Sequence, residues 1–350
     1  MLRYIINRIF SGVAVVISVV ILISAIIYLA PVDPTRLSFG QRSDDTTVEA
    51  RRKQLGLDLP LYQQMGRYLV DISPISSIDN TYQDQYDIIA TIWSGSKNSL
   101  VIKKPFFRYS YQTGRRVSLM LSETIPKTVI LALSAFLIAT ILGILFGIIA
   151  ALYHNSKLDQ FIIGFSTLGY SLPSYVSAMV LALVFGFYLK QITGLNLQGS
   201  IYELNDLGDE VVVWRNLFLP SIALGIRPVA IVTQLTRSAM LDVLSMDYIR
   251  TARAKGLAFT KVIFDHALRN TMNPVTTALT GWLASLLAGA FFVENVFNFK
   301  GVGQLTVDAM INYDVPVLLA CVIFISVVFV VLNIVADLLY VWLDPKLKIG

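Results

Sequence analysis

Long stretches of this chain carry no charge at all, and short polar segments separate them. Residues 9–32, 128–153, 160–189, 270–293 and 315–336 contain no Asp, Glu, Lys or Arg, and 216–236 contains only Arg227. Each run reaches the roughly 20 residues that a helix needs to cross a hydrocarbon core about 30 Å thick. The pattern predicts an all-α membrane protein with six transmembrane helices. The first run is longer than the roughly 7–15 residue apolar stretch of a signal peptide, and no small-residue cleavage site follows it. It reads as a retained helix that ends at Ala30-Pro31-Val32-Asp33-Pro34.

Composition agrees with this pattern. Of 350 residues, 55% are hydrophobic and 15% are charged, against about a quarter charged in a soluble domain. The net charge of +5 fits cytoplasmic Lys and Arg rather than nucleic-acid binding. Arg3 and Arg8 precede the first run, Arg237 to Arg269 hold a basic cluster, and Lys346 and Lys348 follow the last. Six crossings put all of these on one side. Both termini and the 241–275 segment are therefore expected in the cytoplasm. The single cysteine, Cys321, excludes an intrachain disulfide and a thiol-rich metal site.

Three regions follow: residues 1–32 as a cytoplasmic N-terminus and first helix, 33–127 as an extracytoplasmic segment, and 128–350 as the membrane core. In the outer segment, Gly56 and Pro60 should divide two short helices between Thr46 and Leu69. Residues 72–111 should be irregular with one or two short strands. Ala135, Ala139, Gly143, Gly147 and Ala151 recur every fourth position, which puts small residues on one helix stripe and lets a neighbouring backbone approach closely. Gly281, Ser285 and Gly289 form a shorter stripe. Pro173 and Pro228 should kink or break their helices.

The segment from Asp247 to Pro274 is polar, basic and helix-forming between apolar runs. Ser245 or Asp247 is placed to cap a short helix, Arg253 and Lys255 suit its C-terminal dipole, and Gly256 terminates it. Thr260 is placed to cap a second helix with an apolar face. Ala252 and Ala254 leave little side chain in the way of a partner. Periodicity alone leaves two readings open: entry into a partner's groove, or an amphipathic pair lying on lipid headgroups.

Arg227 is costly near mid-membrane, at roughly 2.5–3.5 kcal/mol or more. It is expected either to line a translocation path or to be held by a structural pair or by helix-end carbonyls near Pro228. Glu294 is expected in a structural ion pair or an outer gate. Asp337 is expected against Arg237 or headgroup water. His154 and His266 are too far apart in pattern for a metal site. No G-x-x-x-x-G-K-[ST] phosphate loop and no H-E-x-x-H occurs. Paired intramembrane acids and inverted repeats, usual in secondary carriers, are not seen, which leaves that class a distant alternative.

Ordered motifs along most of the chain then resemble a known family. They are Leu2-Arg3-Tyr4, Leu55-Gly56-Leu57-Asp58-Leu59-Pro60-Leu61, Thr113-Gly114-Arg115-Arg116-Val117, Glu123-Thr124-Ile125-Pro126-Lys127-Thr128 and Leu168-Gly169-Tyr170-Ser171-Leu172-Pro173. They continue in Leu235-Thr236-Arg237-Ser238-Ala239-Met240, Val293-Glu294-Asn295-Val296-Phe297, Gly301-Val302-Gly303 and Leu343-Asp344-Pro345-Lys346. The chain resembles a B-type transmembrane subunit of the dipeptide, oligopeptide and nickel ABC importers.

That resemblance implies the type I ABC importer permease fold, with an extracytoplasmic lobe between helices one and two. It implies an ATP-driven importer, for peptides or for a nickel chelate, glutathione or another small solute. The chain itself would not be an enzyme and would bind no cofactor, since ATP and Mg belong to partner ATPases. The implied partners are a homologous second permease subunit, two ATP-binding subunits, an extracytoplasmic solute-binding protein and membrane lipid. The coupling residues would be Asp247, Arg250, Ala252, Arg253, Ala254, Gly256 and Leu257. Arg227, Glu294, Pro173 and Pro228 would belong to the path or gate. Two departures stand out. The coupling loop has Arg250-Thr251-Ala252 where the general importer pattern has Glu-Ala-Ala, and residues 73–111 are longer than usual for the family.

Overall fold

The computed structural model describes residues 2–29 and 45–343. The expected helix exit at 30–34 and the basic residues at 346 and 348 lie outside them. Helix α1 spans Leu2–Leu29. The short helices α2 (Asp45–Gln54) and α3 (Leu61–Ile72) are separated where Gly56 turns at φ +68° and Pro60 caps α3, as the sequence predicts.

The next segment departs from expectation. Strands β1 (Ile75–Asp79), β2 (Ile88–Ser94) and β3 (Asn98–Lys103) form a three-stranded antiparallel sheet in the order β1-β3-β2. The sequence hid β1 because its centre is Ser76-Ser77, a poor strand signal. Pairing with Leu100 and Val101 of β3 recruits it. On β2, register shifts between Ile88 and Ala90 and between Thr91 and Trp93 break the alternation that would have announced it.

The remaining elements are α4 (Val117–Leu152), α5 (Lys157–Ser171) and α6 (Ser174–Leu181), which continues as a π-helical stretch to Tyr188. A small hairpin of β4 (Tyr202–Leu204) and β5 (Glu210–Val212) precedes α7 (Arg215–Leu244) and α8 (Asp247–Ala254). The chain ends with α9 (Arg269–Phe297), α10 (Val302–Ile311) and α11 (Val315–Leu343). Among the described residues, α1, α4, α7 and α11 are long and apolar enough to cross a membrane, and α5 with α6 adds a fifth as a bent pair.

The two prolines behave differently. Leu172 is extended, as a residue before proline prefers, and the helices on either side of Pro173 meet at 109°. Pro228 leaves α7 unbroken from Arg215 to Leu244. Gly225, Pro228 and Ala230 are all buried there, and that packing carries the helix past the lost hydrogen bond.

The chain divides into two compact units. One comprises residues 1–9, 126–304 and 328–350, with α7 at its centre against α5, α6 and α9. Here the small-residue stripe of α4 has its reason. A Cβ on Gly143 would lie 2.6 Å from Val232 Cβ, and one on Gly147 would run into Thr236 and sit 2.8 Å from the Thr233 carbonyl oxygen. A Cβ on Gly225 of α7 would in turn approach the Ala135 carbonyl to 3.1 Å. Glycine therefore sets how closely the α4 and α7 backbones meet. The second stripe differs, since Gly281 and Ser285 are exposed within this chain.

The other unit comprises residues 10–125 and 305–327. Val20, Tyr68, Leu319 and Ile323 form its apolar core, with Phe107 and Val315 packed on them. Asp314 accepts hydrogen bonds from the Ser110 hydroxyl and, at 3.0 Å, from the Tyr111 N–H, which ties the loop after the sheet to the start of α11.

Gly147→Leu should lower the thermal midpoint of the detergent-solubilised chain, since overpacking of this kind costs about 1–3 kcal/mol. Gly164→Leu should leave that midpoint unchanged, because nothing lies within 4 Å of a Cβ there.

Candidate functional site

The polar segment folds as expected in outline but is anchored differently. Ile249 and Ala252 of α8 are buried, in one cluster with Met240, Val243, Val262, Ile263 and Ala267, and with Ile148 and Ala151 of α4. Ala252 is therefore an anchor to its own chain and not a contact surface, and Leu257 packs against the same cluster. Asp247, Arg250, Arg253, Ala254 and Gly256 are exposed. The helix places Ile249 and Ala252 three residues apart on one face, which sends these others outward. The Asp247–Arg250 pair is 3.5 Å long with side chains 95% and 76% exposed, too open to contribute much.

The expected caps are absent. Met246 occupies the N-cap of α8 without a side-chain bond, and the Ser245 hydroxyl donates back to the Asp242 carbonyl at 2.7 Å. Thr260 lies inside a short turn that starts after Ala258. Tertiary burial of Ile249 fixes this helix instead. Gly256 does terminate it, at φ +76° with open space around it, so conformation alone demands glycine. Sequence reasoning missed the exposed Met246, Phe259 and Phe264. These give the basic surface an apolar component.

At the neighbouring end of α7, Arg237 clasps the start of α5. Its Nε donates to Asp159 Oδ1 at 2.6 Å and its Nη2 to Asp159 Oδ2 at 2.7 Å, with His154 Nδ1 3.0 Å from Nη2. Asp159 also accepts the Asn155 N–H at 2.9 Å. Asp337 was expected near Arg237. It pairs with Arg8 at 2.6 Å instead, because Asp159 already fills both arms of the Arg237 fork.

Arg227 is half-buried on α7. No hydrogen bond or ion pair reaches it among the described residues, and its buried Nε has no partner. Its guanidinium lies over the Tyr170 ring, 5.4 Å from the centroid, a favourable cation–π placement. Gly169 permits this, since a Cβ there would lie 2.9 Å from Ile226 Cγ2. The end of α5 thus rests on α7 beside Arg227, just before the break at Pro173. The expected contacts with a counter-ion or a helix-end carbonyl are not made among the described residues.

Glu294 is fully buried, and its partners are donors rather than a cation. It accepts from Thr128 Oγ1 at 2.6 Å, from the Gly303 N–H at 2.7 Å and from the Gln304 N–H at 3.1 Å. Thr128 Oγ1 in turn accepts from the Val302 N–H at 2.8 Å. The carboxylate and the threonine together satisfy the first N–H groups of α10, where the helix dipole favours a negative charge. Any Cβ on Gly301 would collide with this carboxylate. Three separate motifs, ending in Thr128, centred on Glu294 and spelling Gly301-Val302-Gly303, are parts of one joint. The ion pair expected for Glu294 is replaced by this clasp.

Comparison with known proteins agrees with this architecture. Residues 143–349 match the family described as binding-protein-dependent transport system inner membrane component, and residues 1–132 match the N-terminal part of such components. The glutathione transport system permease protein GsiC of Escherichia coli strain K12 is 32% identical over 348 residues, 99% of each chain. The protein of the same description from Shigella boydii is 31% identical over the same span. Among solved structures, a chain of the MetNI methionine ABC transporter in an inward-facing conformation superposes with a TM-score of 0.52 at 14% identity, covering 65% of this chain and 97% of that one. That likeness is one of fold. The chain belongs to the inner membrane components of binding-protein-dependent transport systems. It is a multi-pass permease subunit of the type I ABC importer class, in the group that includes peptide and glutathione permeases.

Glu294→Gln should reduce the yield of folded permease and its thermal midpoint. The amide oxygen can stay on the Gly303 and Gln304 N–H groups, but the amide nitrogen then faces the Thr128 hydroxyl, which loses its acceptor, and a hydrogen bond to a charged group contributes about 1.5–3 kcal/mol.

Proposed function

We propose that this chain forms half of the pore of an ATP-driven importer for short peptides or glutathione-like solutes. A homologous permease subunit forms the other half, two ATP-binding subunits supply the power, and an extracytoplasmic solute-binding protein delivers cargo. Six spans, with α9 as the remaining one, put both termini and α8 in the cytoplasm. The glutathione permeases to which the chain is similar over its whole length support this choice of solute.

The observation that carries the reading is the form of α8. Its inner face is locked onto the ends of α4 and α7 through Ile249 and Ala252, while Asp247, Arg250, Arg253 and Ala254 face outward. A helix so mounted passes a push on its outer face to the membrane helices without bending a loop. No phosphate-binding motif occurs in the chain, so hydrolysis falls to the ATPase partners, with their ATP and Mg. Closure of those subunits would draw paired coupling helices together and switch the pore between inward and outward access.

Arg227 is the residue we assign to the path. A guanidinium in an apolar helix is expensive, and among the described residues this one has no acid partner and a buried Nε without a hydrogen bond. A solute carboxylate or carbonyl passing the Pro173 break would supply what is missing.

Affinity-tagged chain, solubilised gently, should bring down a second six-helix subunit and ATPase subunits, with crosslinks from exposed Ala254 reaching an ATPase. Ala254→Trp should abolish ATPase recovery while the permease pair still assembles. Recovery of the chain alone or as a homo-oligomer would overturn the reading. In proteoliposomes, Arg227→Ala should reduce solute uptake at least about tenfold with the complex intact, and Arg227→Lys should restore part of it. Loss of assembly in Arg227→Ala would instead make the residue structural.

A further inference from the structure

Residues between Lys53 and Tyr111 line an open cavity of about 900 Å³, the upper part of the roughly 300–1,000 Å³ range of small-molecule sites. Its walls combine cations with aromatic rings. Tyr86, Phe106 and Tyr109 form a continuous edge-to-face run, with centroids 5.3 and 5.8 Å apart. Tyr82 is exposed on the lining, and Arg67 and Arg108 complete it.

Arg108 is held in a set orientation. Its Nε donates to Asp71 Oδ2 at 2.7 Å, and its guanidinium lies over Tyr68, 5.4 Å from the ring centroid. The Tyr86 hydroxyl donates to the other carboxylate oxygen of Asp71 at 2.6 Å. Lys103, buried beneath, donates to the Asp71 carbonyl and lies 4.5 Å from the Tyr86 centroid. Burial lowers the Lys103 pKa from its usual value, with nearby Asp71 opposing the shift. For Tyr86, burial first and then the bond to Asp71 raise the pKa, so its hydroxyl stays a donor. Asp71, also on the lining, thus has both carboxylate oxygens engaged by Tyr86 and Arg108.

What remains facing the cavity is donor-rich. The terminal nitrogens of Arg108 make no hydrogen bond among the described residues, and Arg67 makes neither a hydrogen bond nor an ion pair there. Asp79, the other acid on the lining, is occupied by the N–H and hydroxyl of Thr81, at 2.9 and 2.8 Å. Arg108 also sits at φ +63°, a conformation uncommon for non-glycine residues that clusters at functional sites. An arginine braced through Nε and stacked on one face offers its outer edge, two parallel donors, to a carboxylate.

We infer that this cavity binds a carboxylate-bearing solute the size of a short peptide, with the carboxylate on the outer edge of Arg108 beside Arg67 and an apolar group on the Tyr86–Phe106–Tyr109 wall. The site uses none of the residues assigned to the path and requires no ATP.

The test uses the purified permease complex in nanodiscs, without nucleotide or binding protein, and the tripeptide Phe-Ala-Glu as probe. The control is Phe-Ala-Gln amide, with binding read by calorimetry and by saturation-transfer NMR. Phe-Ala-Glu should bind saturably, the amide at least about tenfold more weakly, and Phe aromatic protons should show the strongest transfer. Arg67→Gln and Arg108→Lys should each weaken binding severalfold with the thermal midpoint unchanged in Arg67→Gln. Gly164→Leu, a substitution with open space around it, should leave it unaltered. No saturable binding would overturn the inference. So would equal affinity for the amide, indifference to both Arg67→Gln and Arg108→Lys, or displacement by equimolar inorganic phosphate. Loss of binding in Arg227→Ala would move the solute to the membrane path, overturning this site while supporting that one.

Discussion

Inside hydrocarbon no hydrophobic force draws one apolar helix to another, so the helices of a membrane protein hold together by close contact and by polar bonds. The meeting of α4 and α7 is this chain's answer. Gly143 and Gly147 bring the two backbones so close that Val232, Thr233 and Thr236 occupy the space where side chains would be. The rest of the permease unit is hung on that seam. Helices α5, α6 and α9 pack on α7, Arg237 fastens the start of α5 to it, and α8 rests on Ile148 and Ala151 of α4 and on Met240 and Val243 of α7. The surface assigned to ATPase docking is therefore an extension of a close-packed helix pair.

Much of this was legible in the sequence because membrane-scale features are periodic or long. The apolar runs marked the helices, and the four-residue spacing of Ala135 through Ala151 marked the seam. The same spacing in Gly281 and Ser285 marks a face that stays exposed within the chain, since spacing reports a stripe and not what covers it. Proline shows the same limit. Pro173 breaks its helix and Pro228 does not, and the difference lies in the packing around Gly225 and Ala230, which no local rule contains. Ser245, Asp247 and Thr260 all had the chemistry of caps, yet burial of Ile249 fixed the start of α8 one residue away.

The polar joints were the least legible because their members are far apart in the chain. Thr128, Glu294 and Gly303 each stood in a recognisable motif, but nothing local says that the three meet. Tyr86, Lys103 and Arg108 lie in a segment read as irregular, so their convergence on Asp71 left no periodic trace. Arg227 was visible as a cost, being the one charge in its run. The aromatic ring beneath it, Tyr170, comes from another helix.

The joint around Glu294 also decides how this protein meets changes in salinity. Mobile ions weaken attraction between exposed charges, over a screening distance that shrinks from about 10 Å at 0.1 M salt to 3 Å at 1 M. The pairing of Arg8 with Asp337, whose side chains are 45% and 25% exposed, is open to that weakening. Glu294 is sealed from solvent and bound to a hydroxyl and two main-chain N–H groups, with no counter-ion for salt to compete against. The joint should therefore be equally firm in fresh and briny surroundings.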